Sequence, residues 1–505
     1  MVIPEVKTLE DALAVIGELA GKLQELTAYI GRLEHENAWL KRQIFESHSE
    51  KSLPVADGTE FLPGLGATVE EEPSPIIQKI PEHQRKVRSK NGWNEIPEGL
   101  PVEEVIIDVP EAEREGMELI GYDESKRIAW RNGLYVKVIK RAKYADKNDA
   151  LRGVVTAPPA GDYFDTPSGK TKFDASFTAK VVSDKVENAL PLDRQTKIFA
   201  REGFPVSDST LGHLFRNTAL ALVLLYNRMI EIIMENEIIH VDETFMRLLI
   251  PKGGECKKTY LWCRMTGTGP PLLAFRFDKS RSQAVAKMLI GDYFGTIIRD
   301  DCSAYHTLTC KAACCWAHVQ RRFKSACDKG YVRAIEPREM IRKLYKIEAN
   351  AKEAALHKGT ETALFKARRA ARIKSKEIVD DFFVHCKSLH DTDVPGSPVY
   401  DAVNYALNIE TELRRFLDDP KLNIDNNPAE RAMKTFAVSR KNWLFTASEE
   451  GGQNLAILFS FAETCKANNV NFRLWLEDVL PRLSTTPASQ IDTLLPHLWQ
   501  PASDK

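Results

Sequence analysis

The chain has 505 residues and nearly balanced charge, with 70 lysines and arginines against 71 aspartates and glutamates. A hydrophobic content of 43% excludes wholesale disorder, and the length predicts about three domains. A formal net charge of -1 disfavours binding to nucleic acid through bulk positive charge, so any such binding requires locally segregated basic patches.

The targeting and cysteine patterns predict a cytoplasmic protein. The first residues carry no basic region followed by an apolar stretch, and no apolar run reaches the length of a membrane span. All nine cysteines lie at or after Cys256 without a disulfide framework, which favours a reducing compartment. Cys310, Cys314 and Cys315 have no second Cys/His pair at finger spacing, so a structural zinc site is not favoured there.

A heptad repeat runs through residues 9–47. Its apolar residues recur in alternating steps of three and four, which favours a left-handed coiled coil, and a single Asn at an a position favours two strands. The alternative is an amphipathic helix packed on its own domain. The predicted dimerisation residues are Leu19, Leu23, Leu26, Ile30, Leu33, Asn37 and Leu40.

The charge then changes sign along the chain. Residues 52–82 are rich in proline and glycine and hold six acids against one base, which predicts a flexible linker. Residues 126–145 hold seven bases, no acid and interleaved aromatic residues, which is typical of a strand that contacts phosphates. A solvated strand face is an equally simple interpretation. The candidate DNA-binding residues here are Arg85, Lys86, Arg88, Lys137, Lys140 and Arg141.

Residues 192–217 predict a helix-turn-helix. A break containing glycine and proline separates two helical segments, and Ser207 or Asp208 can cap the second of them. That second helix carries His213 and Arg216 as candidate DNA contacts. Helix pairs joined in this way are common, so the pattern gains weight only from the basic segments before it.

Three carboxylates later in the chain form a candidate catalytic set. Asp242 follows the apolar run EIIHV and Asp300 follows TIIR, so each is predicted to end a buried strand at the rim of one sheet. Glu430 lies on a helix that Asp425 or Asn426 can cap. Three converging carboxylates can hold two Mg²⁺ or Mn²⁺ ions about 3.5–4 Å apart for phosphodiester chemistry. Any one such acid, taken alone, more commonly stops a strand or caps a turn.

Four segments carry a resemblance to a known family. HVDET at 240–244, IIRDDCSAY at 297–305, CCWAHVQRRF at 314–323 and IDNNPAERAMKTFAVSRKNWLF at 424–445 resemble blocks of the insertion-sequence-66 family of transposases. Earlier segments are similar to the family's other blocks in the same order, so the resemblance covers most of the chain.

The resemblance implies a DDE transposase whose catalytic and metal-binding residues are Asp242, Asp300 and Glu430. The family's second block reads Asp-Gly-Tyr-x-x-Tyr, and counting back from Tyr305 gives Asp300, with Asp301 as the alternative. The family's paired cysteines before the basic strands are missing, so no zinc is expected in the N-terminal region. Four bases beside Glu430 are candidate DNA contacts: Arg431, Lys434, Arg440 and Lys441.

The resemblance further implies an enzyme that binds the terminal inverted repeats of its insertion sequence and cleaves and joins DNA strands. Its expected cofactor is Mg²⁺ or Mn²⁺ in a two-metal site. Its expected partners are terminal-repeat and target DNA, a second copy of the chain and accessory proteins of the same element, without a membrane, in the bacterial cytosol or nucleoid. The alternatives are a non-catalytic helix-turn-helix regulator and a structure-selective nuclease.

The predicted fold is multidomain α+β, with an N-terminal coiled coil, a helix-turn-helix region and a ribonuclease-H-like mixed α/β core split by a helical insertion. The predicted order is coiled coil 1–51, acidic linker 52–82, basic β-rich DNA-binding region 83–180, helix-turn-helix and connecting helix 181–232, first part of the core 233–330, helical insertion 331–420, second part of the core with Glu430 421–470, and C-terminal helical tail 471–505.

Overall fold

A computed structural model describes residues 100–146, 153–157, 172–250, 255–357 and 359–501, which form a mixed α/β structure with two sheets and many helices. The predicted coiled coil and acidic linker lie outside the described residues. The candidate DNA contacts Arg85, Lys86 and Arg88 also lie outside them.

The first sheet is built on a long hairpin. Its strands are β1 (Val102–Ile107), β2 (Glu118–Trp130), β3 (Leu134–Ala145) and β4 (Val154–Thr156). β3 pairs in parallel with β1 and antiparallel with β2 and β4. Apolar residues of β2 and β3 pack against Phe177, Phe199 and Phe204 in one buried cluster. The predicted alternating strand at 126–145 is therefore a hairpin that packs one face on the helices that follow.

Four helices connect the two sheets. They are α1 (Ala175–Val186), α2 (Leu192–Arg201), α3 (Asp208–Ala221) and α4 (Val223–Glu235). Ser207 is the cap of α3, because its hydroxyl accepts a hydrogen bond from the amide of Thr210 at 3.2 Å. Gly203 takes a φ of +83° in the turn after α2, a conformation that glycine adopts without a Cβ clash. The helix pair predicted at 192–217 is thus present.

The second sheet carries the candidate catalytic residues. Its strands are β5 (Ile238–Leu249), β6 (Cys256–Thr266), β7 (Leu273–Asp278), β8 (Thr296–Arg299) and β9 (Lys311–Cys314). Within the described residues their order is β7-β6-β5-β8-β9. The first three are antiparallel and the last three parallel, so β5 is central and belongs to both arrangements.

The predicted end of the strand at Asp242 is wrong. β5 continues to Leu249, because residues on the far side of Asp242 remain paired with β6 as far as Leu249 opposite Cys256. Pairing with β8, however, stops at His240 opposite Ile298. Asp242 therefore lies just beyond the end of the parallel neighbour β8, although its own strand, β5, continues to Leu249.

Nine further helices come after β7 in the described part of the chain. They are α5 (Gln283–Ile290), α6 (Trp316–Asp328), α7 (Ile335–Leu356), α8 (Glu361–Thr392), α9 (Pro398–Asn408), α10 (Glu410–Arg414), α11 (Asn427–Trp443), α12 (Glu449–Ala467) and α13 (Phe472–Arg482), counted within the described residues. One core joins the sheet to α4, α11, α12 and α13. The other joins Ile298 of β8 and Trp316 of α6 to the helices between 335 and 414.

Among the described residues, no single helix is long and apolar enough to cross a membrane. The bent pair α3 and α4, with 46° between its halves, meets the length and composition criteria only when both helices are taken together.

Candidate active site

Asp242 and Asp300 come from neighbouring parallel strands. The pairing of β5 with β8 ends with His240 opposite Ile298, and two residues later come Asp242, still within β5, and Asp300, directly after the end of β8. Burial raises the pKa of Asp242 well above its ordinary value, and the carboxylates of Glu243 and Asp300 raise it further. Asp242 thus disfavours its own ionisation beside other acids, which is the setting in which a bound divalent cation lowers the electrostatic cost.

Glu430 reaches the same region from the first turn of α11. Its carboxylate also raises the pKa of Asp242, although by less than the two closer acids. The start of α11 is shaped by Pro428 and by Asp425, whose carboxylate accepts a hydrogen bond from the amide of Asn427 at 3.1 Å. The structure therefore brings Asp242, Asp300 and Glu430 toward one another from two strands and a helix.

A basic residue faces Glu430. Arg321 on α6 donates two hydrogen bonds to the Glu430 carboxylate, each of 2.9 Å. His318, one turn earlier on the same helix, lies 3.5 Å from Glu430 and 2.9 Å from Arg321. Burial and then the charge of Arg321 lower the pKa of His318. The sequence singled out CCWAHVQRRF as a block but did not predict Arg321, whose spacing of three residues from His318 places both on one helix face.

A buried polar contact ties α11 to β5. His240 donates from Nδ1 to the Asn426 side-chain oxygen at 2.9 Å, and Nδ2 of Asn426 donates to the carbonyl of Val241 at 2.9 Å. Asn423 donates to Nε2 of His240 at 3.0 Å, which fixes the neutral tautomer protonated on Nδ1. Burial lowers the pKa of His240 to about 4, in keeping with a neutral ring. These bonds hold the start of the Glu430 helix beside the Asp242 strand.

Glu243 is an acid of the site that the sequence reasoning left aside. Its buried carboxylate accepts hydrogen bonds of 2.8 and 2.5 Å from Arg281 and another from the hydroxyl of Tyr305. One ligand atom each of Glu243, Asp300 and Cys302 lie within 4.8 Å of one another, which is close enough for a shared cation. The sequence feature that could have pointed to Glu243 is its position directly after Asp242 in the HVDET segment.

Asp301 points to different partners from those of Asp300. Its carboxylate lies 2.7 Å from His306 and 3.5 Å from Arg299. Asp300, by contrast, accepts a hydrogen bond of 3.1 Å from the amide of Cys302 and adds to the negative potential at Asp242. The carboxylate of Asp301 is therefore paired with His306 and Arg299 and not with the other acids.

Comparison with known proteins agrees with this arrangement of segments. A family model described as "Transposase IS66 family" matches residues 170–454, "IS66 C-terminal element" matches 460–497, and "Transposase C of IS166 homeodomain" matches 32–105. The chain belongs to the IS66 family of transposases.

Relatives of this IS66-family chain occur in Sinorhizobium fredii. One, described as uncharacterized protein y4qI, is 31% identical over 79% of this chain and 76% of its own length. A second, uncharacterized protein y4jD, is 28% identical over 96% of this chain and 97% of its own length. A third, uncharacterized protein y4hP, is 25% identical over 92% of this chain and 88% of its own length.

The homeodomain match is a helix-turn-helix-like region on the N-terminal side of the helix pair predicted at 192–217. It spans 32–105, which overlaps the residues predicted as coiled coil, acidic linker and basic region. Membership of a transposase family together with this region implies DNA binding. The helix pair of α2 and α3 lies outside that match. On α3, His213 is exposed, while Arg216 forms an ion pair of 2.5 Å with Glu450 of α12.

Three predicted DNA contacts in the first sheet have acidic or carbonyl partners instead. Lys137 lies 3.2 Å from Asp174, and Lys140 lies 2.9 Å from Glu104. Arg141 donates to the carbonyl of Ala157 at 2.8 Å. The count of bases along 126–145 missed these partners because they lie on other strands and on the segment before α1. The DNA contacts predicted at these three positions stay predictions, and the alternative of a solvated strand face stays open.

The four bases beside Glu430 divide into two groups. Arg440 is used within the fold, since its guanidinium lies 3.7 Å from the centre of the Phe245 ring and donates to Thr244 at 3.0 Å. The DNA contact predicted for Arg440 stays a prediction. Arg431, Lys434 and Lys441 are exposed at helical spacing on one face of α11 and remain available.

Cys315, His318 and Glu430 each offer one ligand atom, and these atoms lie within 4.8 Å of one another, close enough for a shared cation. Burial raises the pKa of Cys314 and of Cys315 to about 12, so both thiols stay protonated at neutral pH. The sulfur of Cys315 accepts a hydrogen bond from the amide of Asn426 at 3.1 Å, and the thiol donates one to the Glu430 carboxylate at 3.7 Å. Among the described residues, Cys310 and Cys314 belong to no group of potential metal ligands.

Proposed function

We propose that this IS66-family protein is a DDE transposase that binds the terminal inverted repeats of its insertion sequence and catalyses metal-dependent strand cleavage and strand transfer. The observation that carries the proposal is the convergence of Asp242, Asp300 and Glu430 from two adjacent strands and one helix. The order of the second sheet, antiparallel on one side of β5 and parallel on the other, supports a ribonuclease-H-like core.

The three carboxylates supply the hard oxygen ligands that Mg²⁺ or Mn²⁺ prefers, and their mutual repulsion favours a cation among them. Two such ions would activate the attacking oxygen and stabilise the leaving oxygen. Asn426 and His240 position Glu430 relative to Asp242 through their buried hydrogen bonds. Arg281 and Tyr305 hold Glu243 beside the acids.

The reaction needs no covalent intermediate with the protein. Water attacks the phosphodiester at the end of the element and releases a 3′-hydroxyl, which then attacks a phosphodiester of target DNA. The exposed bases Arg431, Lys434 and Lys441 and the exposed His213 are the proposed DNA contacts within the described residues. The heptad residues of the N-terminal segment pair two protomers, so that two element ends are held together.

The decisive experiment replaces single carboxylates and measures strand cleavage and strand transfer with Mg²⁺ on DNA carrying the element's ends. Asp242→Ala, Asp300→Asn and Glu430→Ala should each lower the cleavage rate by more than about 100-fold, because each removes a metal ligand. Asp301→Asn is the matched control, since its carboxylate pairs with His306, and it should stay within a few fold of wild type.

The outcomes separate the alternatives. Equal activity in wild type and Asp242→Ala would refute the catalytic assignment. DNA binding by the wild type without metal-dependent cleavage would indicate a regulator, and cleavage without joining would indicate a nuclease. Loss of activity in Asp301→Asn but not in Asp300→Asn would transfer the role of second aspartate to Asp301.

A further inference from the structure

A basic pocket lies beside the acid group, between α6 and α7. It is lined by Gln320, Arg321, Lys324, Arg338 and Arg342. Four of these five side chains are positively charged, and none is aromatic or aliphatic. The pocket therefore offers a concentrated positive charge and no aromatic side chain.

The charges of this pocket are only weakly balanced. Lys324 lies 3.7 Å from Asp328, and Arg342 lies 2.8 Å from Glu339, both in exposed pairs on a single helix, where ion pairs contribute little. Within the part of the chain that the structure describes, Arg338 has neither an ion pair nor a side-chain hydrogen bond.

The arrangement on each helix is unfavourable for the helix itself. Arg321 and Lys324 are three residues apart on α6, and Arg338 and Arg342 are four apart on α7, so like charges face each other along both helices. Such pairs destabilise a helix, and here two of them converge from different helices. An anion bound between them would remove both repulsions.

Arg321 connects the pocket to the proposed catalytic group. It lines the pocket and at the same time donates two hydrogen bonds to Glu430. A nucleic-acid strand with one phosphodiester at the carboxylates would thus have its neighbouring backbone next to Arg338 and Arg342.

We propose that the Arg338–Arg342 pocket binds a backbone phosphate of the DNA strand that enters the acid group. The proposal rests on the proposed function for its choice of DNA. The planar guanidinium forks of Arg338 and Arg342 suit the oxygens of a backbone phosphate. The contact is independent of base sequence, because it reaches only the backbone.

The test measures the salt dependence of DNA binding by the full-length protein, in EDTA, with a DNA duplex of arbitrary sequence. Each phosphate contact removed should reduce the slope of log K against log salt by about one. Arg338→Ala and Arg342→Ala should each show that reduction, and Arg338→Lys, which keeps the charge, should retain the slope of wild type. Lys343→Ala is the matched control, because Lys343 is exposed on the same helix but does not line the pocket.

Unchanged slopes in Arg338→Ala and Arg342→Ala would overturn the proposal, as would an equal reduction in Lys343→Ala. Thermal unfolding of every variant shows whether it is folded, and if Arg338→Ala is not, Arg342→Ala decides alone. Because the slopes are read without a divalent metal, they are independent of catalysis. A wild type that fails to cleave DNA with Mg²⁺ would refute the proposed function and leave the slopes to be judged separately.

Discussion

The side chain of Asn426 determines where the Glu430 helix begins relative to the Asp242 strand. Its oxygen accepts from His240 and its amide nitrogen donates to the carbonyl of Val241, and all three residues are buried. A buried hydrogen bond contributes little net stability when it is made, but each partner left without one is costly.

Asn426→Ala should lower the free energy of unfolding by roughly 2–5 kcal/mol, because the His240 ring and the Val241 carbonyl both lose their partner. It should also lower the proposed cleavage rate beyond the effect on folding, since Glu430 is displaced. Chemical denaturation and a cleavage assay below the unfolding midpoint measure the two effects. Asn442→Ala, on the exposed end of the same helix, should change stability by less than about 0.5 kcal/mol. Equal effects in both variants would contradict the role of Asn426.

At the residue scale, local sequence patterns point to the three acids that lie near one another in the structure, but not to the side chains that pair with them. Asp242 and Asp300 follow apolar runs, Glu430 lies in a capped helix, and the family resemblance joins the three, and all of these patterns are local. The pairing of Arg321 with Glu430 joins residues more than a hundred positions apart, and no local pattern contains it. The same holds for Arg440, whose stacking on Phe245 depends on the packing of α11 across β5.

At the element scale, the segment 366–376 shows how a charge run can mislead. It holds six bases and no acid, which suggests a helix that faces DNA. Arg372 is instead buried: it forms a two-fold hydrogen bond with Glu348 at 2.7 and 2.9 Å and donates to the carbonyls of Phe416 and Leu422. This arginine joins α7 and α8 to the chain after α10.

Arg372→Met should destabilise the protein by roughly 3–5 kcal/mol, because it leaves the Glu348 carboxylate buried with less compensation. Adding Glu348→Met should recover a substantial part of that loss. Urea denaturation of the single and double variants measures both values. Lys374→Met, exposed on the same helix, serves as the control and should behave as wild type. Full stability in Arg372→Met would show that the ion pair does not hold these helices together.

Alanine substitutions at two helical glycines should change the stability of the protein in opposite directions. A Cβ at Gly452 of α12 would lie 2.7 Å from the buried ring of Phe277 on β7, so Gly452→Ala should cost about 1–3 kcal/mol. A Cβ at Gly212 of α3 would meet nothing within 4 Å, so Gly212→Ala should stabilise by up to about 1 kcal/mol through helix propensity. Melting temperatures of the two variants should therefore move in opposite directions, and a shift of both in the same direction would contradict the packing of α12.

At the scale of the whole molecule, the oligomeric state is predicted from the sequence alone, through the heptad repeat of residues 9–47. Replacing Leu26 and Leu33 together with Glu places charges in the predicted seam and should convert a dimer to a monomer in sedimentation equilibrium. Ala28→Glu, outside the seam, should leave the dimer intact. A dimer that survives the double substitution would show that protomers pair through another surface.

The order of the blocks along the chain was predictable because each block keeps its own motif, from the helix pair at 192–217 to the capped helix of Glu430. The contacts between blocks were not, since they depend on tertiary packing. Arg216 of α3 pairs with Glu450 of α12, and Lys421 pairs with Glu237, across more than 180 residues in each case. The length of β5 belongs to the same class, because its second half is defined by β6 and not by its own residues.

The position of Glu430 beyond the helices of 335–414 has a consequence for the time course of synthesis. A ribosome adds residues at about 5–20 per second, so a growing chain carries Asp242 and Asp300 for roughly ten seconds before Glu430 is made. Under the proposed mechanism, the nascent protein is catalytically incomplete throughout that interval. No growing chain can therefore cut DNA by this mechanism before Glu430 has been made.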